Sequence, residues 1–244
     1  MPDVLREDTD GIAVLSLNRP DALNALRPQL WVELVTHLND IAAATDTIGC
    51  VVLRANGRSF SAGNDLKALT GGERTPTEHY QADAIDLIEA IPQPVIASAQ
   101  GHCLTGALEL VLGCTLFVVA DNVRIADTHG QWGMSSTWGM SQRLPRRIGT
   151  LRAMELMLTG REITGPEAVE FGLANKCVPV ADLDSETMAL ARHCVGRSWH
   201  TLVSVKRLVG STWNMTLTEG LAYERETSGA GPDMDERLAA FGKK

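Results

Sequence analysis

The stretch that most limits what this chain can become is residues 94–114, PVIASAQGHCLTGALELVLGC. Val95, Ile96 and Ala97 follow a proline, which strands accept only at their first residue or on an edge, so the stretch opens as a strand. It turns at Gly101, and a helix is expected from Thr105 and Gly106 through Leu112. Ala107, Leu108, Leu110, Val111 and Leu112 make that helix apolar on nearly every side, the mark of a buried helix. Glu109 breaks the pattern. An isolated buried carboxylate is costly and tends to raise its pKa instead of staying charged. Gly106 lies three residues earlier, on the same helix side, at the end where backbone N–H groups lack partners. A poised carboxyl and an anion-accepting N–H would then face one cavity. The bland alternatives are a capping box or a buried ion pair. A box from Thr105 needs its acid at position 108, which is leucine; an arginine partner elsewhere stays open.

The 244 residues suit one large α/β domain or two small ones, and 44% hydrophobic content suits an ordinary globule with a sizeable core. A net charge of −8 argues against nucleic acid as the main partner, since phosphate binding needs a basic face. Cys50, Cys103, Cys114, Cys177 and Cys194 are scattered and form no CxxC, which suggests free thiols in a reducing compartment. The start, MPDVLREDTDG, is acidic and lacks an apolar signal-peptide core. No apolar run reaches the ~18 residues of a membrane span. A cytoplasmic protein without membrane contact is expected.

Strand and helix patterns alternate through the first part of the chain. Ile12–Leu17 and residues 50–54 read as strands. A helix opens at Pro28, its favoured first position, and repeats Leu30, Leu34, Leu38 and Ile41. Residues 60–66, FSAGNDL, place small residues between a strand and the next helical segment, where backbone can approach a ligand; a plain surface turn is the alternative. Residues 70–77, TGGERTPT, have the composition of a mobile loop. Residues 82–91 read as a helix with Ile85, Ile88 and Ile91 inward. Residues 116–120 and 123–127 read as strands. Residues 131–142 look irregular, and Trp132, Met134, Trp138 and Met140 there either wall a pocket or fill core under a loop. Beyond Leu151 the pattern turns all-helical, with capping boxes at Thr164/Glu167 and Thr216/Glu219. The chain divides into an α/β core, residues 1–150, and a helical region, residues 151–244.

No GxGxxG, GxxxxGK[ST], HExxH or GxSxG occurs. The histidines show no metal-ligand spacing, so no metal site is expected, and nucleophilic hydrolysis is disfavoured.

The chain resembles the enoyl-CoA hydratase/isomerase (crotonase) superfamily over nearly its whole length. The matching pieces, in order, begin with Asn18-Arg19-Pro20, Leu23-Asn24-Ala25-Leu26, Phe60-Ser61-Ala62-Gly63-Asn64-Asp65-Leu66 and Gly101 through Glu109-Leu110. They continue with Gln142-Arg143-Leu144-Pro145, Leu158-Thr159-Gly160, Ala168-Val169-Glu170-Phe171-Gly172-Leu173-Ala174 and Thr216-Leu217-Thr218-Glu219-Gly220.

The resemblance implies an α/β spiral of ββα units and a C-terminal helical trimerisation region, so a homotrimer or a hexamer. It implies a coenzyme A thioester as substrate and no separate cofactor. Two backbone N–H groups, carried over to Ala62 and Gly106, would hold the thioester oxygen. Ala62, Gly63, Asn64, Asp65 and Leu66 would line the coenzyme A path. Of the two glutamates that flank the double bond in hydratases, Glu109 matches the first. The second falls on His129, a departure from the family. Imidazole exchanges protons near neutral pH, so a Glu109/His129 pair could still add water, or His129 could only shape the pocket. Asp127 would share its face if the strand continues, and would act as the acid or orient the imidazole. Thr105-Gly106-Ala107 stands where relatives often carry three glycines.

The expected function is hydration of 2-enoyl-CoA to 3-hydroxyacyl-CoA. Double-bond isomerisation or other single-carboxylate enolate chemistry is the alternative, and a non-catalytic acyl-CoA- or RNA-binding protein is the rival from another class. Phe241 with Lys243 or Lys244 would reach a neighbouring coenzyme A, and the 70–77 loop would order over the acyl pocket on binding.

Overall fold

A computed structural model describes residues 1–241; Lys243 and Lys244 lie outside them. β1 (Val4–Thr9) runs antiparallel to β2 (Ile12–Leu17), and α1 (Pro28–Ala43) crosses over to β3 (Cys50–Ala55), parallel to β2. The short α2 (Leu66–Thr70) and α3 (Tyr80–Ala90) lead to β4 (Val95–Ala99). β5 (His102–Leu104) then leaves the plane of β4, α4 (Gly106–Leu112) brings the chain back, and β6 (Leu116–Ala120) pairs with β4. β7 (Arg124–Ala126) repeats the excursion of β5 and pairs with it in parallel. After α5 (Met140–Ile148) and α6 (Thr150–Thr159) come β8 (Ile163–Thr164), α7 (Gly165–Glu170), β9 (Lys176–Val178) and α8 (Leu183–Val195). The described chain ends in α9 (Trp199–Ser211), α10 (Leu217–Thr227) and α11 (Met234–Phe241).

Two sheets result. The large one has six strands in the order β1-β2-β3-β4-β6-β9, and the small one is β5-β7-β8. β2 and β4 are buried at every residue. This is why they read as continuous apolar runs: a parallel strand covered on both faces has no polar side to show. On one face lie Leu30, Trp31, Leu34, Leu38 and Ile41 of α1, with Ile85 and Ile88 of α3 and the apolar residues of α4. On the other, Ile12, Val14, Cys50, Val52, Ile96 and Val118 meet Leu183 and Ala191 of α8.

Two expectations need correction. The chain beyond Leu151 is not all-helical: β8 joins the small sheet, and β9 completes the large one beside β6. Both strands are too short to leave a period in the sequence. The 131–142 stretch is not irregular throughout. It opens with a 3-10 turn, His129–Trp132, and runs into α5, whose buried Met140, Leu144 and Ile148 repeat every fourth residue. Pro145 and the surrounding arginines and glutamine hid that stripe. β1 also escaped notice, because its outward side chains are charged. The two capping boxes are present as expected, at Thr164/Glu167 and Thr216/Glu219.

The tail is tied to the core at a few points. Lys206 on α9 donates to the carbonyls of Ile88, Ile91 and Gln93 at 2.8–2.9 Å. α9, α10 and α11 contain no buried residue, whereas Val209, Leu217, Leu238 and Phe241 stand exposed.

Candidate active site

The FSAGNDL loop is fastened by its backbone on both sides. Ser61 N–H donates to His102 O at 2.8 Å, and Leu104 N–H donates to Ser61 O at 3.2 Å, so the loop lies along β5. On its other edge Leu26 N–H donates to Gly63 O at 2.8 Å and Asp65 N–H to Leu26 O at 3.2 Å. Gly63 sits at φ +90°, and a Cβ there would lie 2.7 Å from Leu104 O and 3.4 Å from Gly106 N. Only glycine lets the loop come this close to the start of α4.

The N–H groups of this loop differ from the expectation at Ala62. Ala62 N–H donates to Leu23 O at 3.0 Å, so it is not free to hold a substrate oxygen. Gly63 N–H donates to Ser61 Oγ at 3.1 Å. Asn64 N–H is left without an acceptor among the described residues, and so is Gly106 N–H at the start of α4. Asn64 and Gly106 are therefore unengaged donors on either side of the close approach at Gly63, while the N–H groups of Leu66, Ala107 and Leu108 at the starts of α2 and α4 are also without an acceptor among the described residues. Asn64 stood among the expected binding residues, but a count of hydrogen bonds, which sequence does not provide, singles out its N–H. Asp65 holds the loop. Its carboxylate caps α2 by accepting from Lys67 N and Ala68 N at 3.1 Å and pairs with Arg19 at 2.8 Å. Leu66 opens α2.

Every residue of α4 is buried, and Glu109 is 1% exposed. Among the described residues no arginine pairs with it. Its Oε1 accepts from Trp138 N at 3.0 Å and Met140 N at 3.1 Å, while Oε2 faces His129 Nε2 at 3.7 Å. Burial pushes the Glu109 pKa above the ordinary carboxylate value; the two N–H bonds and His129 only partly offset that. Trp138 also closes the space beside Gly106. A Cβ on Gly106 would lie 2.4 Å from Cζ3 of its ring, and the ring packs edge-on against Trp31 with centroids 5.3 Å apart.

His129 comes from the small sheet's end. The strand stops at Ala126, so Asp127 and His129 do not share a strand face as expected. Instead the chain turns, and Asp127 Oδ1 accepts from His129 Nδ1 at 2.6 Å and from His129 N at 3.1 Å. Asp127 is 3% exposed. Burial works against a charged imidazole here, but the hydrogen bond and charge of Asp127, with Glu109, win and raise the His129 pKa above 6.5. Nδ1–H bound to Asp127 leaves Nε2 turned to Glu109.

One residue at the site is strained. Thr105, just before Gly106, has φ +52° and ψ −105°. A β-branched residue there is an outlier that costs about 1–3 kcal/mol. Its Oγ1 accepts from Thr128 N at 3.0 Å and lies 2.5 Å from Thr128 Oγ1.

Of the expected pocket residues Trp138, Met140 and Asp127 reach the site, whereas Trp132 and Met134 are exposed. A cleft of about 460 Å³ opens beside the loop, lined by Asn64, Asp65, Leu69 and residues 73–78 among others. Asn64 is in its lining, and Glu109 and His129 are not.

The site thus gathers two N–H groups that make no hydrogen bond among the described residues, a buried carboxyl and an imidazole held by a carboxylate. A family model described as enoyl-CoA hydratase/isomerase matches residues 7–240, and the chain belongs to that family. It is 32% identical over 247 residues to the "probable enoyl-CoA hydratase" of Mycobacterium bovis, with 99% of this chain and 95% of that protein covered. The enoyl-CoA hydratase of Bacillus anthracis superimposes with a TM-score of 0.93 at 30% identity, covering 99% of this chain and 96% of that one. A monofunctional enoyl-CoA isomerase from M. smegmatis does so at 0.78 and 30% identity, covering 90% and 98%. The crotonase-type α/β fold with a C-terminal helical region is thus that of the chain. Among the described residues no helix is long and apolar enough to cross a membrane.

Proposed function

We propose that the protein hydrates 2-enoyl-CoA thioesters to 3-hydroxyacyl-CoA. The observation that carries this reading is the 3.7 Å approach of Glu109 Oε2 to His129 Nε2 beside the free N–H groups of Asn64 and Gly106. The gap is too long for a direct hydrogen bond, yet one water oxygen can contact both groups. Glu109 is an effective base because burial raises its proton affinity, and His129 is an effective acid because Asp127 keeps it protonated.

In the proposed reaction the thioester carbonyl accepts from Asn64 N–H and Gly106 N–H. Glu109 takes a proton from water as the oxygen bonds to C3. The C2=C3 electron pair moves into the thioester, giving an enolate whose oxygen the two N–H groups stabilise. Protonation of C2 by His129 completes the product. The proton on Glu109 then passes to His129 through a water that contacts both groups, and both return to their starting state. Removing one oxyanion donor typically costs about 3–4 kcal/mol of barrier. Coenzyme A enters as part of the substrate, so the reaction needs no other cofactor.

Isomerisation of the double bond is the second reading, favoured by the replacement of a carboxyl by His129 and by the likeness to an isomerase. It needs one base that carries a proton between carbons, and Glu109 alone would serve. A panel of 2- and 3-enoyl-CoA thioesters separates the two when conjugated absorbance is followed and the products are identified, since hydration of a 2-enoyl-CoA removes the absorbance with a hydroxyl gained and isomerisation of a 3-enoyl-CoA creates it. Hydration of 2-enoyl-CoA supports the first reading; turnover of 3-enoyl-CoA without hydration overturns it.

A further inference from the structure

The strain at Thr105 calls for a cause, since glycine would adopt this backbone without it. Thr105 stands where two parts of the site meet. Its main chain begins α4: the next residue is Gly106, and its carbonyl accepts from Glu109 N at 3.0 Å. Its N–H donates to Ala126 O at 2.8 Å, the last residue of β7. Its hydroxyl reaches past the strand end to Thr128, bonding both N–H and Oγ1. Thr128 lies between Asp127 and His129. An outlier of this kind, held by contacts that glycine lacks, argues from observed geometry to role.

We infer that Thr105 is a positioning residue, whose hydroxyl fixes the Asp127–His129 turn against the helix that carries Gly106 and Glu109; this rests on the hydration reading above. Thr128 is the matching half of the clamp. Glu109 and Asp127 are the titratable groups in contact with His129, and both lie on segments that the clamp joins. Without the hydroxyl the turn keeps its bond from Thr105 N–H to Ala126 but loses its fix beyond the strand. The distance between Nε2 and Oε2 is then no longer held, and a displacement of about 1 Å at reacting groups can lower turnover about 100-fold.

The test compares Thr105→Gly, Thr105→Ser and Thr128→Ala in the intact protein. The proposal expects Thr105→Gly to lower kcat by about 10- to 100-fold with KM changed less than about threefold. Thr105→Ser should restore kcat to within about twofold, because it keeps the hydroxyl. Thr128→Ala, which leaves the strained residue intact, should lower kcat in the same direction and keeps the proposal testable if Thr105→Gly fails to fold. A second readout does not depend on turnover: nitrogen NMR of His129, taken at a pH above its titration where the ring is neutral, should show a single Nδ1–H tautomer in the parent and a mixture in Thr105→Gly. If the parent hydrates no enoyl-CoA, the hydration reading fails and the tautomer measurement alone decides the clamp. Unchanged kcat and an unchanged tautomer in Thr105→Gly and Thr128→Ala would overturn it.

Discussion

Asp127 Oδ1 lies 2.6 Å from Nδ1 of His129, and the opposite ring nitrogen faces Glu109 across 3.7 Å. The carboxylate therefore sets both the tautomer and the charge of the imidazole. The alkaline limb of the activity profile should report loss of the His129 proton, and the acid limb protonation of Glu109. Both limbs belong to a coupled pair. Asp127→Asn removes the interaction that raises the His129 pKa, so the alkaline limb should move to lower pH and kcat should fall at least about tenfold at neutral pH. Glu109→Gln and His129→Gln should each lower hydration about 100-fold or more. A His129→Gln enzyme with parental hydration would end the role given to the imidazole while leaving Glu109 and the two N–H donors in place.

The same shifts make a stability prediction. Glu109 and His129 both bind a proton more tightly folded than unfolded. The stability that His129 contributes is full below its ordinary 6.5 and is lost as pH rises through its higher folded value. For Glu109 the loss begins above the ordinary 4.5 and continues through its raised folded value. Glu109→Gln should therefore raise Tm at neutral pH relative to the parent, by about 2–4 °C for each kcal/mol released. The gain should shrink toward pH 4.5. Thermal unfolding of parent and variant across this window measures it as a difference, in which the other carboxylates cancel. A lower Tm for the variant at neutral pH would contradict a raised Glu109 pKa.

Gly106 is required by space, since Trp138 occupies the position a side chain would take. Gly106→Ala should destabilise the fold by about 1–3 kcal/mol, because the Trp138 ring must move and it also abuts Trp31. It should lower activity as well, since Trp138 N–H holds Glu109. Gly106→Ala with Trp138→Ala should regain part of the lost stability relative to Trp138→Ala alone, measured as a double-mutant cycle in denaturant. Additive effects of the two changes would show that the contact does not limit the site.

The sequence announced the parts of this site that depend on local pattern. Glu109 stands out because an apolar helix must account for a carboxylate, and Gly63 and Gly106 because small residues let backbones approach. The pairing of His129 with Asp127 was legible only as a spacing, since it requires the strand to end at Ala126 and the chain to turn. The sequence points to the Ala62 N–H and not to that of Asn64, because nothing in it says that Leu23 O takes the Ala62 N–H. The clamp between Thr105 and Thr128 joins residues 23 positions apart and exists only through the packing of β5 on β7. Long-range pairing also explains β8 and β9, which are strands by virtue of their neighbours and not of their own residues.

The donor assignment can be tested without changing any side chain. Replacing the amide by an ester at position 64 removes the N–H that makes no hydrogen bond among the described residues. Turnover should fall about 100- to 1,000-fold, the usual effect of losing one oxyanion donor. The same replacement at Ala62 removes only the bond to Leu23 O and should act mainly on stability, by about 0.5–1.5 kcal/mol. Asn64→Ala keeps the N–H and should leave kcat within a few-fold. A large loss with the ester at 62 and none with that at 64 would restore the first assignment.

The last expectation concerns assembly, and it follows from the tail. Leu217 is 79% exposed, Leu238 59%, Phe241 81% and Val209 62%, on three successive helices that contain no buried residue. Single exposed apolar side chains are ordinary, but a run of them along consecutive helices marks a surface for another protein. We propose that copies of this chain meet there, as a trimer or a pair of trimers. Light scattering at micromolar concentration should then return three or six times the 26.3 kDa chain mass. Leu217→Asp combined with Leu238→Asp should shift the species toward single chains, since a charge taken into an apolar interface is costly. The distant Glu109–His129 pair would keep its geometry in those chains unless a neighbour completes the cleft, so residual turnover per chain reports whether assembly serves stability or the site itself. A parent protein of single-chain mass at that concentration would remove the proposal.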